Sequence, residues 1–106
     1  HAHLVCAGTR AEISQDDCLA AGAIVARLRD HGWTYPTDDS SRIAESLWIN
    51  AHAEPSGILH VLQQSRGGRN LHKIDLDADI HWCANVDTHA DTVGEYHAAT
   101  NRITRI

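Results

Sequence analysis

The run Ser14–His31, SQDDCLAAGAIVARLRDH, constrains this chain more than any other stretch, because it carries a start, a face and a stop for one helix. Ser14 stands where an N-cap belongs, with Asp17 at the capping-box position. Asp16 and Asp17 complement the positive end of a helix dipole. Ile13 and Cys18 have the spacing of a hydrophobic staple. Cys18, Ala21, Ile24, Val25 and Leu28 recur three to four residues apart and define one apolar face, with Arg27 and Arg29 pointing outward. Gly32 supplies the left-handed stop, and Trp33 is placed to fold back on the last turn. The pattern predicts a helix over 14–31, preceded by a turn around Gly8 over Ala7–Glu12.

The remaining patterns are shorter. His1–Val5 with Cys6 reads as a first strand, and Thr34–Arg42 as a polar connection containing Pro36. Ser46–Ala53 alternates Leu47, Ile49 and Ala51 with Trp48, Asn50 and His52, which predicts a strand; a helix over Ser41–Ala51 competes with it. Pro55–Ser65 reads as a second helix, with Pro55 at its first position, Ile58, Leu59, Val61 and Leu62 on one face and Gly67 as its stop. Lys73–Trp82 has a two-residue period, with Ile74, Leu76, Ala78, Ile80 and Trp82 on one side and Asp75, Asp77, Asp79 and His81 on the other. After a polar loop over Asn85–Thr92, Gly94–Ile106 reads as a last strand. The expected fold is α+β in a single domain, 1–106: an antiparallel sheet of about four strands with two helices packed on one face.

Composition narrows the partners. The formal charge of −5 and scattered Lys and Arg residues disfavour nucleic acid, and no apolar run is long enough to span a membrane. Protonating all nine histidines would move that charge from −5 to +4, so the surface can change sign in mild acid. The chain has no Met, which implies removal of something upstream of His1. With three cysteines, this points to a secreted protein. Cys6, Cys18 and Cys83 are the disulfide candidates, paired Cys6–Cys18 or Cys6–Cys83. The odd thiol permits a covalent dimer or a second chain.

Three sets of side chains have chemical potential. Asp75, Asp77 and Asp79 would stand about 7 Å apart along one strand face, too far for one cation without loop carbonyls. That row suits a solvated face that discourages edge pairing. His1 and His3 form an amino-terminal Cu(II) pattern if the amine is free, and Asp87 and His89 in the loop are available to join it. The only cofactor these residues suggest is that copper ion. Glu95 and His97 on the last strand, with His81 on its expected neighbour, make a ribonuclease-like acid–base set, with Arg102 or Arg105 to receive phosphate.

The segments CAG, IS, DDCLAAGAIVARL and GWTYP, with a later lone cysteine, resemble small secreted fungal proteins of the killer-toxin-like and effector group. The resemblance covers about a third of the chain, mostly Cys6–Tyr35. It implies a ferredoxin-like α/β sandwich in which Cys6 and Cys18 are framework positions. It also implies a toxin or effector that binds a target protein or cell-surface component rather than catalysing a reaction. The alternatives are a copper-binding secreted protein and a small secreted ribonuclease.

Overall fold

The first helix forms where its signals place it, but the elements after it are mostly not those expected. The computed structural model describes residues 1–35 and 38–106, so Pro36 of the polar connection and of the GWTYP turn lies outside the described residues. Helix α1 spans Gln15–Asp30. It ends with Gly32 at φ 83°; the Gly32 N–H donates to Arg29 O at 2.9 Å and the Trp33 N–H to Leu28 O at 3.1 Å. Those two bonds are the Schellman pair that Gly32 predicted. The start is less regular. The Ser14 side chain makes no cap bond and its hydroxyl donates to Asp16 instead, while Ile13 is exposed and forms no staple. The buried face centres on Leu19, Gly22 and Val25, which leaves Ile24 47 % exposed.

The competing helix prevails over the strand expected at Ser46–Ala53. Helix α2 spans Asp39–Ala53, and the Asp38 carboxylate caps it by accepting from the Ser40 and Ser41 N–H groups at 3.1 and 3.3 Å. Its inward residues are Ala44, Leu47, Trp48 and Ala51, a helical spacing. Ile49, which made the two-residue alternation, is 52 % exposed. Helix α3 spans Gly57–Gln64, and helix α4 follows at once over Arg66–His72. Gly67 therefore sits in the first turn of α4 and does not stop α3. At the joint, the Ser65 hydroxyl donates to Leu62 O at 2.7 Å and accepts from the Gly68 N–H at 2.9 Å.

The Lys73–Trp82 strand does not exist. The chain reverses at Asp75, φ 58°, where the Leu76 N–H donates to Leu71 O at 3.1 Å and the Asp75 N–H to His72 O at 3.2 Å. Helix α5 then runs Asp77–Cys83, with Asp77 and Asp79 in its first turn. Of the five apolar residues in the alternation, Ile80 is the buried one, at 3 % exposure. No strand forms at His1–Val5 either. The last predicted strand is a hairpin, β1 Gly94–His97 antiparallel to β2 Arg102–Arg105, with Tyr96 opposite Ile103.

Among the described residues the fold is thus five helices and one two-stranded sheet, not a four-stranded antiparallel sheet with two helices or a ferredoxin-like sandwich. Helix α1 packs on α2, α3 and α4; α3 also touches α2, α4 and α5; and the hairpin packs on no helix. None of the helices is long and apolar enough to cross a membrane. The Cys6, Cys18 and Cys83 thiols are all free, so no disulfide ties these elements together.

Candidate functional site

Two places bring polar side chains from distant parts of the chain together. The first is an open groove of about 810 Å³ between residues 1–6 and the α1–α2 pair. At its rim Arg29 Nη1 reaches both carboxylate oxygens of Glu45, at 2.7 and 2.9 Å, and the Tyr35 hydroxyl donates to the same carboxylate. The Tyr35 bond first, and Arg29 second, hold the Glu45 carboxyl below its usual range despite its burial. The same bond to Glu45 pushes the Tyr35 phenol up. Deeper in the groove, burial first and the neighbouring Cys6 second raise the Cys18 thiol. The arginine at this groove is already paired with Glu45, so the trio pins the segment after α1 to α2.

The second place is where the turn before α1 meets the start of α4. Thr9 and Glu12 exchange both backbone hydrogen bonds, at 2.9 and 3.1 Å, around Arg10 and Ala11. Both central residues are left-handed, at φ 54° and 61°. This is the two-residue hairpin turn that normally takes Asn-Gly. Holding non-glycine residues there costs about 1–3 kcal/mol each, and such strain clusters at ligand sites. Gly8, at φ 67°, donates its N–H to Asp17 Oδ2 at 2.6 Å. Arg66, at the start of α4, donates to Thr9 O at 3.3 Å and pairs with Glu12. The first turn of α4 lies so close to α1 that a Cβ on Gly67 would come within 2.6 Å of Asp16 Oδ2. The result is a braced junction with Arg10 exposed on its tip; among the described residues the Arg10 guanidinium has no ion-pair partner. An exposed, unpaired guanidinium on a rigid turn suits the binding of an oxyanion.

The site residues expected from the sequence are not gathered in this way. Among the described residues no three or more His, Cys, Asp or Glu side chains assemble to hold a metal, so His1, His3, Asp87 and His89 form no common copper site. Glu95 and His97 do share a strand face, with His97 Nε2 3.8 Å from Glu95 Oε2 and 2.7 Å from Thr104 Oγ1. His81 is instead on α5, which the hairpin does not touch, and Arg105 pairs with Asp91 at 3.1 Å. The ribonuclease set is therefore incomplete. Sequence reasoning passed over Arg10 and the run SRGGRN over Ser65–Asn70. No local signal marked them, because the two segments meet only through packing.

A family model described as 2-phosphosulpholactate phosphatase matches residues 2–98. The chain is also similar to three proteins named probable 2-phosphosulfolactate phosphatase. One from Pseudothermotoga lettingae is 29 % identical over 90 residues, covering 85 % of this chain and 37 % of that protein. One from Symbiobacterium thermophilum is 28 % identical over 85 residues, covering 80 % and 35 %. One from Deinococcus radiodurans is 32 % identical over 85 residues, covering 80 % and 33 %. The chain spans about a third of the length of these curated relatives. The match runs through almost the whole chain, whereas the likeness to fungal killer-toxin-like proteins rested on Cys6–Tyr35 and a disulfide framework that is absent. That likeness is overturned. With it go the non-catalytic toxin or effector reading and its copper-protein and ribonuclease alternatives. The chain belongs to the 2-phosphosulpholactate phosphatase family.

Proposed function

We propose that the protein hydrolyses the phosphate monoester of a 2-phosphosulfolactate-type substrate, with Arg10 receiving one of its anionic groups. As its name states, such a substrate carries a phosphate ester, a carboxylate and a sulfonate. Hydrolysis breaks the phosphate–C2 oxygen link: water supplies a hydroxyl to phosphorus and a proton to the departing alkoxide, leaving inorganic phosphate and the free hydroxy acid. A guanidinium fork matches two oxygens of a phosphate or sulfonate at once. The observation that carries this reading is the exposed Arg10 on its left-handed turn, inside the stretch that matches the phosphatase family. Asp16 and Asp17 are held beneath that turn, Asp17 by the Gly8 N–H and Asp16 by the Ser14 hydroxyl.

The test is release of inorganic phosphate from 2-phosphosulfolactate by the purified protein and by an Arg10→Ala variant. The expected outcome is turnover by the parent and a loss of about 100-fold in kcat/KM in the variant, as for removal of one well-placed charge-stabilising donor. No release by the parent ends the proposal. Equal rates for the two proteins remove Arg10 from it.

A further inference from the structure

The two nitrogens of the Arg66 fork hold the two ends of one turn. Nη1 donates to the carbonyl oxygen of Thr9 at 3.3 Å, and Nη2 pairs with the Glu12 carboxylate. Thr9 and Glu12 are the first and last residues of the turn whose centre is Arg10 and Ala11. From this juxtaposition we infer that Arg66 is a positioning residue: it clamps the left-handed turn so that the Arg10 guanidinium is presented to an oxyanion of the substrate. The substrate in this inference rests on the phosphatase reading above, whereas the clamp rests on the turn itself.

The clamp is needed because the turn is made of the wrong residues. A turn with two positive φ angles favours Asn and Gly, and here it is built from Arg and Ala, whose Cβ atoms oppose it. Locally the turn has the paired Thr9 and Glu12 backbone bonds and the Gly8 bond to Asp17, and Arg66 adds a restraint from the far side of the sequence. Arg66 opens α4, and α4 is placed by its packing on α1 and α3 and by the contact of Gly67 with Asp16. The helical layer thereby sets where Arg10 stands. Lysine substitutes only in part, because a compact ammonium does not bridge a carbonyl and a carboxylate with the fixed geometry of a planar fork.

Four variants test the clamp: Arg66→Ala, Arg66→Lys, Glu12→Gln, and Arg66→Ala combined with Ala11→Gly. Each is read by calorimetric binding of inorganic phosphate, by the rate of tryptic cleavage at the Arg10–Ala11 bond, and by KM and kcat for phosphate release. Arg66→Ala is expected to weaken phosphate binding by about tenfold, to speed cleavage after Arg10, and to raise KM more than it lowers kcat. Arg66→Lys and Glu12→Gln should shift the same readouts by less. Adding Ala11→Gly should restore part of the phosphate affinity, because glycine adopts a positive φ without a clamp. A parent protein that binds no phosphate overturns the inference. So do unchanged phosphate binding and unchanged cleavage in Arg66→Ala; if that variant does not fold, the same null result in Glu12→Gln decides. Failure of Ala11→Gly to restore any affinity also overturns it, since Arg66 would then be a direct ligand or a general structural pin. If the parent binds phosphate and the variants respond as expected but no 2-phosphosulfolactate is hydrolysed, the phosphatase reading falls and the clamp stands.

Discussion

Glu45 is a carboxylate held 6 % exposed in a protein with few buried polar groups, and its partners decide what it contributes. Tyr35 and Arg29 both stabilise its charged form, so its carboxyl titrates below the ordinary range in the folded state. The unfolded chain then binds the proton more tightly than the folded one. The stabilisation is full above the usual Glu value of about 4.3 and disappears as pH falls through the lower folded value. Arg29 is 53 % exposed, so part of the effect is screened by salt. The expected outcome is a thermal midpoint higher for the parent than for Glu45→Gln at neutral pH. The gap should narrow below about pH 5 and close in stronger acid. A gap that stays constant through the acid range would show that Glu45 acts by packing alone. At this scale the sequence was legible only in part: Glu45 stood out as nothing, because its importance comes from residues 10 and 16 positions away.

Between elements, α1 and α2 approach closely at Gly22. A Cβ there would lie 1.9 Å from Ala44 O and 3.0 Å from the Trp48 Cβ, and backbone on the partner helix cannot move aside as a side chain can. Gly22→Ala is expected to destabilise the protein by about 3 kcal/mol, the upper part of the range for overpacking. Gly32→Ala has open space around it and should cost only the strain of its left-handed backbone, about 1 kcal/mol. Urea unfolding of the two variants beside the parent checks both the sizes and their order. The same scale explains why a helix stands where the alternation over 73–82 predicts a strand. Helices α1 and α4 end with the same pair of hydrogen bonds, but Gly32 announces the first and Asp75 conceals the second. An aspartate in a left-handed turn looks like any other polar residue in an alternating run, so Lys73–Trp82 passed for a strand.

Taken whole, the molecule is a helical layer with an appended hairpin. Its buried hydrophobic residues among those described are Leu19, Val25, Ala44, Ala51 and Ile80, while Val5, Ile13, Ile43, Ile103 and Ile106 are exposed. The radius of gyration is 15.0 Å, against about 13 Å expected for a compact domain of this length. The hairpin is held by its own ladder, by the Ile106 N–H bond to Val93 O and by the Arg105–Asp91 pair, all within residues 91–106. Deleting residues 93–106 should therefore change the stability of the helical layer by no more than about 0.5 kcal/mol. Urea unfolding followed by helical circular dichroism measures this, and a larger loss would reveal packing between hairpin and helices.

What the sequence determined by itself was whatever its own neighbours enforce. The course of α1 from its acidic first turn to Gly32 depends on groups within a few residues of one another, and it formed at its expected place. In the last segment Glu95 and His97 stand on one strand face, but in a hairpin rather than in the single strand expected over 94–106. Periodicity alone could not separate helix from strand at Leu47–Ala51 or Ile74–Trp82, because a short apolar run satisfies both periods until burial selects one. The candidate site lay further out of reach. Arg10 becomes distinctive only when its turn is left-handed, and the turn is held by Arg66, which reaches Glu12 from 54 residues further along the chain. No local pattern records that contact; it exists because packing of α4 on α1 brings two unremarkable arginines to the same turn.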